Sequence, residues 1–188
     1  MSKRLALSGK LLIAMPSIKG DEFERSVVFL CAHSEDGAMG LVINKPAPRM
    51  VFADLAEKLD LDQTSDEILQ LPVMLGGPVQ PLHGFVLHSS DYKTQESLRV
   101  GRDFVLTVST DVLKAISAGT GPISKILALG YAGWDAGQLE DEIMHNGWLH
   151  CDADLELVFG TAHAKMHDAA LAKLGVSAAM LSSEAARA

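Results

Sequence analysis

The sequence predicts a single α+β domain, and three observations support this class. The chain has 188 residues, a length that fits one domain better than two. Its hydrophobic fraction of 48% and charged fraction of 21% are typical of a globular protein. Apolar runs of strand length and amphipathic segments of helical spacing follow one another without regular βαβ alternation. We therefore treat residues 1–188 as one domain with a frayed tail beyond about residue 177.

The first half of the chain begins with a predicted β-hairpin. Residues 26–32 form a nearly continuous apolar run, which indicates a strand buried on both faces. A polar turn at 34–37 leads to a second apolar run at 39–44. Apolar residues at a spacing of four predict a helix at 52–59, and the acidic segment 60–67 is expected to be an exposed connection.

Short strands and capped helices are predicted for the remainder of the chain. Gly119, Gly147 and Gly175 each follow a helical pattern and are expected to end it. Thr161 is the expected cap of the last helix, and Asp135 with Gln138 resembles a capping box. The predicted strands are 73–75, 84–88, 104–108, 125–131 and 155–159. The predicted helices are 111–118, a helix that follows the Asp135 cap, continues through Leu139 and Ile143 and ends at Gly147, and 162–174.

The charge of the chain argues against a nucleic-acid partner. The formal net charge is −8, and non-specific DNA binding depends mainly on neutralising phosphates with Lys and Arg. The basic residues are scattered, and the densest group is Lys3, Arg4 and Lys10 near the N-terminus. We therefore expect direct DNA binding to be weak and strongly dependent on salt.

The two cysteines, Cys31 and Cys151, are too few for a disulfide framework and too far apart in sequence for a metal pair. The N-terminus lacks a signal-peptide pattern, and no apolar run approaches the ~20 residues that a membrane span needs. These features predict a cytoplasmic protein with reduced thiols and no membrane association.

Two glycine-containing segments are candidates for ligand binding. Gly76, Gly77 and Pro78 follow a strand, and they predict a sharp turn more strongly than a phosphate loop, because proline removes a backbone amide. The segment 130–134 is expected to connect a strand to a helix. Tyr131 and Trp134 in it either pack in the core or form a pocket wall at a helix N-terminus that would suit an anion.

The acidic start of the predicted helix that follows the Asp135 cap is interpreted as a solvated face. Glu140 and Asp141 are adjacent and point about 100° apart on a helix, which disfavours a general acid/base pair. Glu142 and Gln138 belong to the same polar group.

Metal binding and redox chemistry receive little support from the sequence. Among seven histidines only His163 and His167 have helical i, i+4 spacing, and no carboxylate lies between them in the pattern of a zinc-binding helix. Cys31 lies close to His33, which leaves a redox role open beside the more common role of a buried apolar residue. We expect no metal and no cofactor.

Several short motifs, in order along the chain, resemble the YqgE/AlgH family of bacterial proteins. They are LIAMP at 12–16, RSVV at 25–28, GAMGLVINKP at 37–46, LGGP at 75–78, GFVLH at 84–88, GYAGW at 130–134, GQLE at 137–140 and NGW at 146–148. The resemblance covers about residues 5–175. It implies a strongly curved, partly barrel-like mixed sheet flanked by helices. It supplies no catalytic residues to carry over, although some members are labelled transcriptional regulators.

The function predicted from the sequence is therefore that of a non-enzymatic regulatory or interaction protein with an unidentified protein or small-molecule partner. The alternative is an enzyme of unrecognised type with a small pocket. Its ligand-binding residues would be Gly76, Gly77, His88, Tyr131 and Trp134.

Overall fold

The computed structural model describes residues 6–20, 22–62 and 65–185. Lys3 and Arg4 of the basic group lie outside these ranges. The strands are β1 (Lys10–Ala14), β2 (Val27–Ser34), β3 (Gly37–Val42), β4 (Pro46–Val51), β5 (Pro72–Leu75), β6 (Val79–Ser89), β7 (Ser97–Val100), β8 (Phe104–Thr107), β9 (Lys125–Asp135) and β10 (Trp148–Asp152). The helices are α1 (Phe52–Lys58), α2 (Asp66–Leu69), α3 (Thr110–Ser117), α4 (Gln138–Met144), a π-helix (Glu156–Gly160), α5 (His163–Lys173) and α6 (Ala178–Ala185).

The strands form one mixed sheet in the order β10-β1-β2-β3-β9-β6-β8-β7, and β5 joins it by pairing with both β4 and β9. The β5–β9 pair is parallel and the other pairs are antiparallel. The sheet is strongly curled, because Phe29 of β2 and Phe104 of β8 lie four places apart in strand order yet have ring centroids 4.8 Å apart. The predicted curved mixed sheet with flanking helices is confirmed.

Three apolar clusters fill the interior. The first lies inside the curl, where β1, β2 and β8 meet the π-helix and α5. The second lies on the opposite face of β1–β3 and contains Trp134, Leu139 and Trp148. The third packs α1 and α3 against β5, β6 and β9. Because β1–β3 are covered on both faces, their sequences are apolar throughout rather than alternating.

The central strand β9 changes partners along its length. Its first half pairs with β5 on one side and β6 on the other, since Leu127 is in register with both Val73 and Val86. Its second half pairs with β3, from Gly40 opposite Ala132 onward. Residues 76–78, which connect β5 to β6, must therefore cross over β9.

The crossing brings backbone directly against backbone. Gly76 donates its N–H to Leu129 O and accepts from the N–H of Val42, both at 2.8 Å. A Cβ added to Gly76 would lie 2.3 Å from Gly130 O, and one added to Gly130 would lie 2.3 Å from Gly77 O. The three glycines therefore interlock, and the predicted sharp turn at 76–78 is a crossover packed on β9.

Most predicted elements occur, with corrections to several. Segment 130–134 is not a turn, because β9 continues to Asp135 and α4 begins only at Gln138. Segment 155–159, predicted as a strand, is largely the π-helix Glu156–Gly160. Strands β1, β4, β7 and β10 were not predicted, and α2 lies partly in the predicted connection 60–67, of which 63–64 fall outside the described residues.

The chain ends differ from prediction as well. The segment expected to fray contains the helix Ala178–Ala185, and Ala178 and Leu181 pack against the first cluster. Helix α5, which the sequence predicted to be capped by Thr161, begins after Ala162 instead. The Thr161 hydroxyl donates to Glu156 O. None of the described helices combines the length and apolar character that crossing a membrane requires.

We predict that Gly130→Ala destabilises the fold far more than Gly133→Ala. Gly130 has φ +71° and no room for a Cβ, whereas a Cβ on Gly133 would make ordinary contacts at 3.5 Å and 3.8 Å. The strained backbone alone costs about 1–3 kcal/mol, and Gly133→Ala is expected to stay within about 0.5 kcal/mol of wild type. Urea denaturation of both variants tests this.

The sequence predicted that 130–134 connects a strand to a helix, but Gly133 lies on a regular exposed stretch of β9, where a side chain is tolerated. Equal stabilities of the two alanine variants would contradict the interlock of Gly76, Gly77 and Gly130.

Candidate functional site

A wide groove of about 720 Å³ lies over β3, β6 and the second half of β9. Strand β6 forms one side of it through an excursion from the ladder. Val79 is in register with Tyr131 and Gly84 with Leu129, so residues 80–83 of β6 stand against one residue of β9. Gln80 and His83 line the groove, and Leu82 between them is 93% exposed. We call this the β6/β9 groove.

The floor of the β6/β9 groove is apolar and aromatic, whereas one end is acidic. The rings of Phe85 and Tyr131 meet edge to face with centroids 5.8 Å apart, and His83 lies 5.0 Å from Phe85. Met39 also lines the groove, and Asp36 and Asp135 supply carboxylates. Such an open surface can hold an extended segment of a partner better than it can enclose a small molecule.

A second, smaller pocket of about 360 Å³ lies beside α4, and we call it the tryptophan pocket. The ring centroids of Trp134 and Trp148 are 6.0 Å apart at 79°, and those of Phe23 and Trp148 are 5.8 Å apart at 77°. The other lining residues are Ile18, Gly133, Gln138, Glu142, His145 and Gly147.

The Glu142 carboxylate organises the tryptophan pocket. Its Oε2 accepts the indole N–H of Trp134 at 2.9 Å and that of Trp148 at 2.8 Å. Its Oε1 accepts from Gln138 Nε2 at 2.9 Å, and Gln138 Oε1 in turn accepts the backbone N–H of Asp135. One carboxylate therefore satisfies two buried indoles and fixes α4 to the sheet.

Tyr131 and Trp134, predicted as one pocket wall, point to opposite faces of the sheet. They lie three residues apart on β9, and side chains alternate along a strand. Tyr131 packs with the first apolar cluster and lines the groove, whereas the Trp134 ring belongs to the second cluster. Both residues line the β6/β9 groove, and Trp134 also lines the tryptophan pocket.

Gly76 and Gly77 do not line the β6/β9 groove. The positions that Cβ atoms would occupy on both residues are filled by the backbone of β9. They act on the groove indirectly, because their close contact with the β9 backbone fixes where β6 begins beside β9.

His88 is not available to a ligand, which corrects its predicted place in the site. The residue is fully buried, and its Nδ1 and Nε2 lie 2.8 Å from Ser89 O and Thr107 Oγ1. Because Nδ1 must donate to the Ser89 carbonyl, Nε2 accepts from the Thr107 hydroxyl. The ring thus joins β6 to β8, and burial lowers the pKa of His88.

Cys31 is not poised for redox chemistry. It is a free, buried thiol in the first apolar cluster, and burial raises its pKa to about 12. Cys151 is also free and buried, with its pKa raised by the same cause. A reactive cysteine needs access and a stabilised thiolate, so both are better described as core residues.

The histidines do not assemble a metal site within the ranges that the structure describes. The His33 ring is 2.9 Å from Glu140 Oε1 and has turned away from Cys31, because β2 has an irregular register between Leu30 and Ala32. His167 is buried with Nε2 on Ala14 O.

Glu142 is the site residue whose role the sequence analysis missed. Asp141 is exposed as expected, but Glu140 contacts His33 and Glu142 holds both tryptophans. Phe23, in the loop between β1 and β2, was also not identified. The only available signal was the i, i+4 spacing of Gln138 and Glu142, which is common on solvated helices as well.

The fold and these cavities define a class: a mixed α/β domain with a curled sheet that carries an open aromatic groove on one face of its central strand and an enclosed aromatic pocket on the other. The AlgH-like family model matches residues 11–179. A UPF0301 protein of Methylobacterium nodulans is 49% identical over 97% of this chain and 90% of its own length. Another, from Azorhizobium caulinodans, is 50% identical over 97% and 92%. The chain belongs to the AlgH-like family.

Solved structures agree with this assignment. The solution structure of the AlgH protein from Pseudomonas aeruginosa superposes with a TM-score of 0.78, at 40% identity and 97% coverage of both chains. A crystal structure of a Corynebacterium diphtheriae protein shares the fold with a TM-score of 0.72, at 19% identity over 92% of this chain and 90% of that one.

We predict that Glu142→Leu lowers the free energy of unfolding by about 1–3 kcal/mol for each buried donor left unpaired. A leucine side chain has no acceptor, so the indole N–H groups of Trp134 and Trp148 both lose their partner. Asp141→Asn removes the same charge from the same helix at an exposed position and is the matched control. Equal melting temperatures of the Glu142 and Asp141 variants would contradict the role of Glu142 in holding the two indoles.

We also predict that acid destabilises the fold below about pH 6.5. Burial lowers the pKa of His88 and of His163 from the ordinary 6.5, partly opposed at His88 by the Ser89 carbonyl and Asp91. Between the folded and unfolded pKa values the unfolded chain binds more protons, so stability falls as pH falls. Urea denaturation at about pH 7.5 and 5.5 measures this, and NMR titration should place the His88 pKa below 6.5. A higher value for His88 would contradict the prediction.

Proposed function

We propose that this protein is a non-enzymatic interaction protein that binds an extended segment of a partner protein in the β6/β9 groove. The observation that carries the proposal is the excursion at residues 80–83, which holds Leu82 almost fully in solvent beside an aromatic floor. Water solvates such a side chain poorly, so an apolar residue held out on a built protrusion favours contact with another surface.

The shape and chemistry of the groove support a partner rather than a reaction. Phe85, Tyr131 and Met39 offer apolar area, and Asp36 and Asp135 at one end favour a segment with a basic residue there. The enzyme alternative required His88, Tyr131 and Trp134 in one pocket. Tyr131 and Trp134 both line the groove, but His88 is fully buried and does not line it, so the three residues do not share one site.

A regulatory role is compatible with this proposal if it acts through a protein partner. The acidic groove and the net charge of −8 do not favour direct contact with DNA phosphates. The two free buried thiols support a reducing location such as the cytoplasm, where we propose that the protein acts.

Site-specific photo-crosslinking in cells tests the groove. We predict that a photoreactive residue replacing Leu82 forms a crosslink to a discrete partner. The same replacement at Ile123, which is 82% exposed but lies before the start of β9 and away from the groove, is expected to give none. Both sites are exposed, so neither replacement should alter the melting temperature.

The identity of the crosslinked peptide completes the test, since the partner residues should be apolar beside Leu82. A crosslink of equal strength at Ile123, or none at Leu82, would contradict the proposed surface. Charge reversal by Asp36→Lys should weaken a specific Leu82 crosslink without changing the fold.

A further inference from the structure

We propose that the tryptophan pocket binds a quaternary ammonium group, a positively charged nitrogen that carries methyl groups and no N–H. This site shares Gly133 and Trp134 with the β6/β9 groove, but its other lining residues, Phe23 and Trp148 among them, do not line the groove, so its ligand is tested separately from the partner proposed there. Three aromatic rings, a fixed carboxylate and a set of already occupied hydrogen-bond acceptors carry the inference.

The rings form three sides of a cage. Trp148 stands nearly perpendicular to both neighbours, at 79° to Trp134 and 77° to Phe23, and all three line the same cavity of about 360 Å³. This volume is at the small end of the range for ligand pockets, about 300–1,000 Å³. Cages of this kind recognise quaternary ammonium ions, because the negative faces of the rings attract a cation within about 6 Å of their centroids.

Glu142 makes the cage more favourable for a cation in two ways. Its negative charge is held at the wall of the pocket by the hydrogen bonds from both indoles. Its Oε2 accepts the N–H of both indoles, and a hydrogen bond to an anion polarises the donor. The shift of electron density into the rings strengthens their attraction for a positive charge.

The occupied acceptors select a cation without N–H groups. Glu142 already receives three donors, out of the roughly four acceptor positions of a carboxylate. Gln138 Oε1 is engaged with the Asp135 N–H, and the Gly147 carbonyl accepts from Met15.

His145 donates through Nδ1 to Asp141 O, which leaves its second nitrogen as one acceptor on an exposed residue. The remaining position on Glu142 and this one on His145 cannot satisfy the three N–H groups of a primary ammonium ion. A primary ammonium would therefore lose hydrogen bonds to water on entry, whereas a trimethylammonium group has none to lose.

The chain itself provides the probe for a binding experiment. Trp134 and Trp148 are its only tryptophans and both line the pocket, so intrinsic tryptophan fluorescence responds to binding there. Trp134 also lines the groove, and the weakening of the response in the Phe23 variant described below assigns it to the pocket. Choline is titrated in parallel with 3,3-dimethylbutan-1-ol, an uncharged molecule of the same shape. We expect a saturable change with choline and about tenfold weaker binding of the neutral alcohol, the factor that a cation–π contribution corresponds to.

A variant of the loop between β1 and β2 removes one wall of the cage. Phe23→Leu keeps the pocket apolar but deletes a ring face, and it should weaken choline binding by about fivefold. Phe159→Leu is the matched control, because Phe159 is a partly buried phenylalanine that packs against the first apolar cluster, outside this pocket. Circular dichroism melts confirm that both variants remain folded.

Two further titrations identify the source of the ammonium group. A short peptide that contains trimethyllysine is compared with the same peptide containing unmodified lysine. Tighter binding of the trimethyllysine peptide than of choline assigns the site to a modified protein, and the reverse order assigns it to a small molecule. Equal binding of choline and the neutral alcohol, equal binding of the two peptides, or no saturable response to any quaternary ammonium probe would overturn the proposal.

Discussion

The interlock of Gly76, Gly77 and Gly130 is the contact on which the rest of the structure depends. Residues 76–78 carry the chain over β9, from the side that β5 occupies to the side that β6 occupies. Side chains at these glycines would separate the two backbones, since each Cβ position is already filled by a main-chain atom 2.2–2.3 Å away. The close approach of the 76–78 backbone to β9 therefore allows β9 to pair with β5 in its first half and with β3 in its second half. This change of partner leaves the second half of β9 lying between two cavities.

The alternation of side chains on that second half then divides the candidate chemistry between two faces. Tyr131 lines the open groove, whereas Trp134 lines both the groove and the tryptophan pocket. In the tryptophan pocket, the Glu142 carboxylate accepts the indole N–H groups of Trp134 and Trp148. Neither donor is left unpaired, and both rings are held in place. On the open side, the excursion of β6 creates a protrusion with an exposed Leu82. A single strand thus supports one surface suited to a macromolecule and one pocket suited to a small charged group.

Sequence reasoning succeeded where local chemistry dominates. The hairpin of β2 and β3, the helices α1, α3, α4 and α5, and the strong apolar strands were all predictable from periodicity and turn residues. Strand β10 was missed because its residues, Trp148–Asp152, mix apolar and polar side chains without a clear period, and it is recognisable mainly through its pairing with β1. Segment 155–159 has the composition of a strand, but it folds as a π-helix whose Leu157 and Val158 pack into the first apolar cluster. His88 illustrates the same limit for the site, because only tertiary burial removes it from contact with solvent.

The sequence by itself determined the class of the domain, its family resemblance and the residues at which backbone space is scarce, because composition, periodicity and glycine placement are local properties. It also selected Tyr131 and Trp134 as side chains of interest. Only the tertiary structure decided that Trp134 lines a second pocket which Tyr131 does not reach, that Cys31 and His88 are internal, and that Glu142 joins Trp134 to Trp148. Those outcomes depend on strand register and on contacts between residues distant in the chain. Register sets which face each side chain occupies, and a shift of one residue would reverse every assignment.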